Sequence, residues 1–132
     1  MKENVIVDKS KAFALKIIKM YKFLTEERRE FVLSRQALRS GTSIGANVRE
    51  SQRGQSKADF YAKLYIALKE ADETAYWLEL LHESEYLTEV QFSGLYQECN
   101  SLISLLVAIT AHQKQSNPRS SIPNSSSLIP NS

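Results

Sequence analysis

Four arginines in one segment are spaced so that they could bind an anionic partner together. Arg35, Arg39, Arg49 and Arg53 follow one another at intervals of four, ten and four residues, which places them on one side of an α-helix. Guanidinium groups bind phosphate through paired hydrogen bonds, so the row is suited to a nucleic-acid backbone. A docking face for an acidic partner and an ordinary solvated helix face have the same composition.

Further residues add to this basic row. All four positions of the row are arginine and none is acidic, and positive charge is also supplied by Lys11, Lys19 and Arg28 or Arg29. The aromatic side chains could offer stacking surfaces for single-stranded nucleic acid, or they could fill the core or a subunit interface. They are Tyr61, Tyr65, Tyr76 and Trp77.

No residue pattern predicts catalysis, a bound metal or a cofactor. Neither His82 nor His112 has a Cys, Asp or Glu at the spacing of a known metal motif. Glu79 and Glu83 flank His82, so a surface metal site stands as the alternative to a solvated face there. Cys99 lies in an apolar row and is expected to be a buried core thiol, because no general base is visible near it. We therefore expect a non-enzymatic protein without a metal or cofactor.

Composition and charge restrict the class of protein. The 132 residues are 42% apolar, with one cysteine and a net charge of +2, which fits one domain without an intrachain disulfide in a reducing, cytoplasmic setting. Residues 1–63 hold 14 Lys and Arg against 7 Asp and Glu, whereas residues 64–132 hold 3 against 8. This split is typical either of a nucleic-acid face or of two halves that attract each other between protomers. We expect no signal peptide and no membrane span.

Hydrophobic periodicity predicts four helices over about 9–24, 34–53, 57–84 and 89–113, in one domain of residues 1–114. Residues 1–7 are expected to form a loose lead-in. Residues 25–33 are expected to form a connection whose apolar end, Phe31-Val32-Leu33, packs over the other helices. Residues 115–132 are rich in Ser, Pro and Asn, and we expect a disordered tail. Short connections between four helices predict an all-α, antiparallel up-down-up-down four-helix bundle.

Helix ends also carry local signals. Ser34 is expected to cap the second helix. Ser56 with Asp59, and Thr88 with Gln91, have the spacing of capping boxes for the third and fourth helices. Gly41 and Gly45 lie within the second helix, where each costs up to about 1 kcal/mol relative to Ala. We expect the close approach of a neighbouring backbone to offset this cost.

Two segments together resemble a known family. One runs from Leu33 to Glu50 and contains Arg39-Ser40-x-x-Ser43-Ile44-x-x-Asn47-x-x-Glu50. The other runs from Asp59 to Glu70 and continues with Glu73-Thr74 and with residues 77–81, Trp-Leu-Glu-Leu-Leu. They resemble the bacterial four-helix-bundle proteins first noticed as reading frames in intervening sequences of 23S ribosomal RNA genes. The resemblance covers about residues 10–113. Gly41 and Ser51 depart from its usual Ala and Gly.

The resemblance implies several properties. It implies a closed antiparallel bundle that assembles as a ring-like homo-oligomer, a pentamer in family members. A distant relative, the accessory variability protein of diversity-generating retroelements, binds nucleic acid and a reverse transcriptase through a basic surface. The motif positions carried over to this chain are Arg39, Ser43, Asn47 and Glu50, to which the family assigns no chemistry.

Two hypotheses of different class follow. The first is a non-enzymatic, homo-oligomeric bundle that binds RNA or a nucleic-acid-processing protein through Arg35, Arg39, Arg49 and Arg53. The second is a purely structural assembly module without a nucleic-acid role, in which the charge split serves contacts between protomers. A metal- or ligand-binding bundle enzyme ranks third.

Overall fold

The computed structural model describes residues 2–116, with side chains for residues 5–113. Within this part there are four helices and no strand: α1 (Lys2–Glu26), α2 (Leu33–Ser51), α3 (Lys57–Glu83) and α4 (Glu89–Ser116). Across the same residues, no helix has the length and apolar character to cross a membrane. The chain is therefore all-α, as the periodicity predicts.

The helices form a four-helix bundle in which each one contacts two others. α1 packs on α2 and α4, and α3 packs on α2 and α4. Contacts between α2 and α3 run in opposite order along the two helices, since Arg39 reaches Glu73 whereas Glu50 meets Lys63. Apolar side chains at spacings of three and four fill the centre, as expected for a bundle core. The largest fully buried ones are Phe13, Ile6, Ile17, Leu24, Ile44, Leu64, Leu78, Leu81, Leu102, Leu106 and Val48.

Helix α1 begins earlier than the sequence predicts. Residues 2–7 are helical, so the expected loose lead-in is wrong. Ile6 and Phe13 are fully buried and Ser10 is 1% exposed, and they form one row with Ile17. Because the polar Ser10 interrupts the apolar pattern of this row, the sequence pattern did not predict the helical turns before residue 9. The other predicted helix bounds differ from the structure by no more than three residues. Of the expected disordered tail, residues 115 and 116 are helical, and residues 117–132 lie outside the described residues.

The start of α2 corrects a second expectation. Val32, not Ser34, is the residue before the first turn, and it makes no side-chain cap. Glu30 caps the helix instead: its carboxylate accepts hydrogen bonds from the backbone N–H groups of Val32, Leu33 and Ser34 at 3.0, 2.8 and 2.7 Å. Ser34 is buried, and its hydroxyl donates to the carbonyl of Glu30 at 2.8 Å. A carboxylate can satisfy several of the unpaired amides at a helix N-terminus at once, which one hydroxyl cannot.

The connection before α2 also differs from expectation. Phe31 is 45% exposed and Val32 is 72% exposed, so the expectation that this apolar end packs over the bundle is wrong for both. Leu33 is half-buried. The Glu30 carboxylate fixes the backbone of these residues, and this geometry turns the first two side chains to solvent.

The capping box of α4 is confirmed, and at α3 the expected Ser56 cap is present. The Ser56 hydroxyl accepts from the backbone N–H of Asp59 at 3.1 Å. At α4 the bonds are reciprocal: the N–H of Thr88 donates to the Gln91 side chain at 2.9 Å, and the N–H of Gln91 donates to the Thr88 hydroxyl at 3.2 Å. Local side-chain chemistry therefore fixed both helix starts.

Candidate functional site

Arg39 of the basic row is engaged by acidic residues of α3. Its guanidinium lies 3.3 Å from Glu70 Oε1 and 2.5 Å from Glu73 Oε2. The pKa of the Glu73 carboxyl is lowered, mainly by the hydrogen bond from Arg39 and further by the hydrogen bond from Trp77. The indole N–H of Trp77 donates to the same Glu73 oxygen at 3.3 Å. The absence of acid from the sequence around Arg39 was misleading, because α3 supplies the acid in space.

The other motif residues continue this row along α2. Glu50 pairs with Lys63 of α3 at 2.8 Å. Between the two ion pairs, the Ser43 hydroxyl donates to the carbonyl of Arg39 at 2.6 Å and the Asn47 amide donates to the carbonyl of Ser43 at 2.9 Å. The family motif thus lies on the α3-facing flank of α2, with each end paired to α3. We call these residues, together with Glu70, Glu73 and Lys63, the α2–α3 clasp.

Arg35, Arg49 and Arg53 differ from Arg39. All three are exposed, and within residues 5–113 none makes an ion pair of 4 Å or less. Exposed guanidinium groups without a local acid are free to bind an external anion. The structure therefore divides the predicted row into one clasp residue and three available cations.

Arg49 lines a groove between α1 and α2. The groove has a volume of about 370 Å³, and Lys11 of α1 contributes a second cation to its lining. Small side chains and Thr42 form most of the remaining surface, and Gly45 lies beside the backbone of α1: a β-carbon there would lie 3.4 Å from the carbonyl oxygen of Ser10. Glu50 also lines the groove, but its carboxylate is paired with Lys63. We call Lys11, Arg35, Arg49 and Arg53 the basic surface.

Two other basic residues have local roles. Arg28 donates to the carbonyls of Glu85 and Tyr86 at 3.1 and 2.9 Å, and its guanidinium lies 5.0 Å from the centre of the Tyr86 ring. It joins the α1–α2 connection to the α3–α4 connection. Arg29 lies over the ring of Phe31 at 5.4 Å, which is a cation–π contact at an exposed position.

The aromatic residues are divided between core and surface. Tyr61 and Trp77 are half-buried, while Tyr65 and Tyr76 are 39% and 53% exposed. All four belong to α3, whereas the basic surface belongs to α1, α2 and the residues just after α2. Among the described side chains, none of these four rings makes a cation–π contact with an available arginine.

The remaining titratable candidates have structural surroundings. His82 stacks on Phe92, with ring centres 4.2 Å apart, and its Nε2 lies 3.0 Å from Glu89. Cys99 is fully buried; burial is the main cause that raises the pKa of its thiol to about 12, and the charge of Asp72 adds to it. Such a thiol is not a nucleophile at neutral pH. Among the described residues, no group of three or more His, Cys, Asp and Glu could hold a metal ion.

Comparison with known proteins gives a consistent result. The family model described as 23S rRNA-intervening sequence protein matches residues 2–108. The chain is also similar to a crystal structure of a protein of unknown function from the S23 ribosomal protein family of Bacteroides thetaiotaomicron. The two share 54% sequence identity and a TM-score of 0.83, over 84% of this chain and 99% of that one. No functionally curated protein matches.

The family match covers most of the described residues and includes both segments that carry the resemblance. The similar structure shares its fold across nearly its whole length. Neither description states a catalytic activity. The chain belongs to the 23S rRNA-intervening sequence protein family.

Proposed function

We propose that this protein is a non-enzymatic, cytoplasmic, homo-oligomeric bundle of antiparallel helices that binds RNA through the basic surface. The observation that carries the proposal is a set of exposed arginines that have no acidic partner within 4 Å among residues 5–113, namely Arg35, Arg49 and Arg53. Lys11 faces the same groove as Arg49. Phosphate groups along an RNA backbone are the anions that such a surface fits best.

The α2–α3 clasp removes Arg39 from the residues proposed to bind RNA. Because Arg39 is held between Glu70 and Glu73, its charge is largely compensated, and we assign it to the stability of the α2–α3 contact. The phosphate contacts are assigned to the other three arginines and Lys11. A ring-like assembly, for which the family resemblance is the argument, would repeat the basic surface once per protomer.

The test compares two double variants of equal charge change. Arg49→Glu with Arg53→Glu alters the basic surface, and Lys57→Glu with Lys69→Glu alters exposed positions of α3. Binding of a fluorescent 20-nucleotide single-stranded RNA is measured from 50 to 300 mM salt. We expect the arginine variant to lose binding and the lysine variant to keep most of it. If each arginine contacts one phosphate, replacing both reduces the slope of log affinity against log salt by about 1.4.

The particle itself provides the second measurement. Light scattering with absorbance at 260 and 280 nm, at low and high salt and after nuclease treatment, gives the mass of the particle and any nucleic acid bound to it. Copurified nucleic acid that dissociates in salt supports the proposal. A clean particle that takes up no added RNA, or equal loss of binding in both double variants, contradicts it.

One observation favours the assembly module as a second candidate. α1 carries six Lys against three Asp and Glu, while α3 carries six Asp and Glu against three Lys. Opposite charges on different faces of one protomer suit contacts between copies. If Arg39→Glu with Arg49→Glu converts the particle into monomers and no RNA binds, these arginines belong to a subunit interface.

A further inference from the structure

A second groove, between α1 and α4, has a different chemical character from the basic surface. These two helices pack least closely among the neighbouring pairs. The groove has a volume of about 440 Å³. Its floor is formed by Met20 and Leu87, which are 6% and 3% exposed, and its walls by the half-buried Phe23 and Leu95. An apolar occupant would remove the remaining accessible surface of these side chains from water.

The rim of the groove is basic. Lys16 and Lys19 of α1 line it together with Gln91 of α4, and no acidic residue does. Lys16 also pairs with Glu98 across the two helices. Lys19 is exposed and makes no ion pair of 4 Å or less among the described side chains. An occupant is therefore favoured if it is apolar at its centre and acidic at its margin.

The dimensions fit a short helix. From Lys16 to Phe23, the α1 side of the groove advances about 10 Å at 1.5 Å per residue, which equals about two helical turns. This is the length over which an amphipathic helix presents side chains at positions i, i+3 or i+4, and i+7. Val90, which precedes Gln91 at this end of α4, is 84% exposed. It adds exposed apolar surface next to the groove.

We propose that the α1–α4 groove binds an amphipathic helix of a partner protein, with apolar side chains on Met20, Phe23, Leu87 and Leu95 and an acidic side chain on Lys19. The proposal does not depend on RNA binding, because it uses a different pair of helices. It makes the protein an adaptor whose α1 helix contributes to two surfaces.

The experiment uses a defined probe on the full-length protein. A fluorescent 14-residue helical peptide carries Leu at positions i, i+4 and i+7 with flanking Glu, and its twin carries Lys in place of Glu. We expect the acidic peptide to bind about fivefold more tightly than the twin, because its contact with Lys19 changes from attraction to repulsion. Lys19→Glu should remove this preference. Lys22→Glu, an equal charge change at an exposed residue of α1 outside the groove lining, should leave it intact.

Location is tested by photocrosslinking. A benzophenone side chain at the central apolar position of the acidic peptide should crosslink to the segment of Met20 or Leu95, read by mass spectrometry. Three results overturn the proposal: equal binding of both peptides, no effect of Lys19→Glu, or crosslinks outside the groove. A change of particle mass in Lys19→Glu also overturns it, in favour of a second copy of this chain. Displacement of the peptide by dodecanoate, with the same dependence on Lys19, overturns it in favour of a small amphiphilic anion.

Discussion

Gly41 of α2 packs directly on Ile17 of α1. A β-carbon on Gly41 would lie 2.9 Å from Cγ1 and 3.0 Å from Cγ2 of Ile17, and Ile17 is fully buried. A β-carbon on Gly45, one turn later, would lie 3.4 Å from the carbonyl oxygen of Ser10, which is an ordinary van der Waals distance. The expected neighbouring backbone is therefore present at Gly45 but leaves room for a β-carbon, while Gly41 makes room for a side chain.

The two glycines should respond in opposite ways to alanine. Gly41→Ala forces a methyl group against Ile17, and overpacking of this kind costs about 1–3 kcal/mol, which exceeds the gain in helix propensity of about 1 kcal/mol. Gly45→Ala keeps the propensity gain without the clash. Urea unfolding should show a lower free energy of unfolding for Gly41→Ala and an equal or higher one for Gly45→Ala.

A double variant isolates the contact. Ile17→Ala removes the atoms that would collide with the new methyl group, so the cost of Gly41→Ala should fall when both changes are combined. Additive effects of the two substitutions would show that the collision is relieved elsewhere in the bundle.

Glu30→Ala should destabilise the bundle by about 2 kcal/mol. The variant removes a carboxylate that accepts three backbone hydrogen bonds at the start of α2, and the loss of a helix cap costs up to about 2 kcal/mol. Thermal unfolding measures the change. Glu27→Ala, at an exposed neighbouring position without these bonds, is the control; a similar loss in both variants would refute the capping role.

The contribution of Glu30 should depend on pH. Burial alone would raise the pKa of this carboxyl, but hydrogen bonds from the amides of Leu33, Ser34 and Val32 and from the Ser34 hydroxyl lower it below its ordinary value of 4.5. A carboxyl with a lowered pKa in the folded state stabilises the protein above its ordinary pKa, and this stabilisation is lost as pH falls through the folded-state pKa. The difference in unfolding free energy between wild type and Glu30→Gln should be constant near pH 6–7 and shrink below about pH 4.5. If the difference in unfolding free energy grew as the pH fell, the lowered pKa assigned to Glu30 would be wrong.

The Arg39–Glu73 pair should affect stability without affecting RNA affinity. Arg39 is 50% exposed, so a double-mutant cycle of Arg39→Gln and Glu73→Gln should give a coupling of about 0.2–1 kcal/mol. The RNA affinity of Arg39→Gln should remain within about twofold of wild type, because Glu70 and Glu73 already compensate its charge. If Arg39→Gln lost as much RNA affinity as Arg49→Gln, Arg39 would have to be counted among the RNA-binding residues.

Cys99 should be unreactive in the folded protein. Its thiol is fully buried, donates to the carbonyl of Ala71 at 3.2 Å and has its pKa raised to about 12. The thiolate is the reactive form, so at pH 8 labelling by a disulfide reagent should be slow until denaturant is added. Rapid stoichiometric labelling of the native protein would show that this part of the core opens easily.

Several features could be predicted from sequence because their causes are local. The caps of α3 and α4 are each formed by residues three positions apart, and the apolar rows of these helices repeat with helical spacing, so no distant contact was needed to identify them. The row of α1 was predicted only from residue 9, because the small polar Ser10 breaks its pattern and only burial against α2 reveals its place.

The sequence pattern of the candidate site did not predict which of its arginines are paired with acidic residues. Their common side of one helix made Arg35, Arg39, Arg49 and Arg53 look equivalent, yet the acids that engage Arg39, Glu70 and Glu73, lie more than thirty residues from it in the chain. A charge row is a property of one helix, whereas compensation of its charges depends on the neighbouring helix.

Four helices, most of their buried faces and the family can be predicted from the amino-acid sequence, because periodicity, caps and the Arg39-to-Glu50 motif are short-range signals. The folded bundle was needed to show which of the four arginines are available, that Glu30 rather than Ser34 caps α2, and that Phe31 and Val32 face solvent. These outcomes depend on which groups meet in space, since the energy of a charge or of a polar group is set by its neighbours and its access to water.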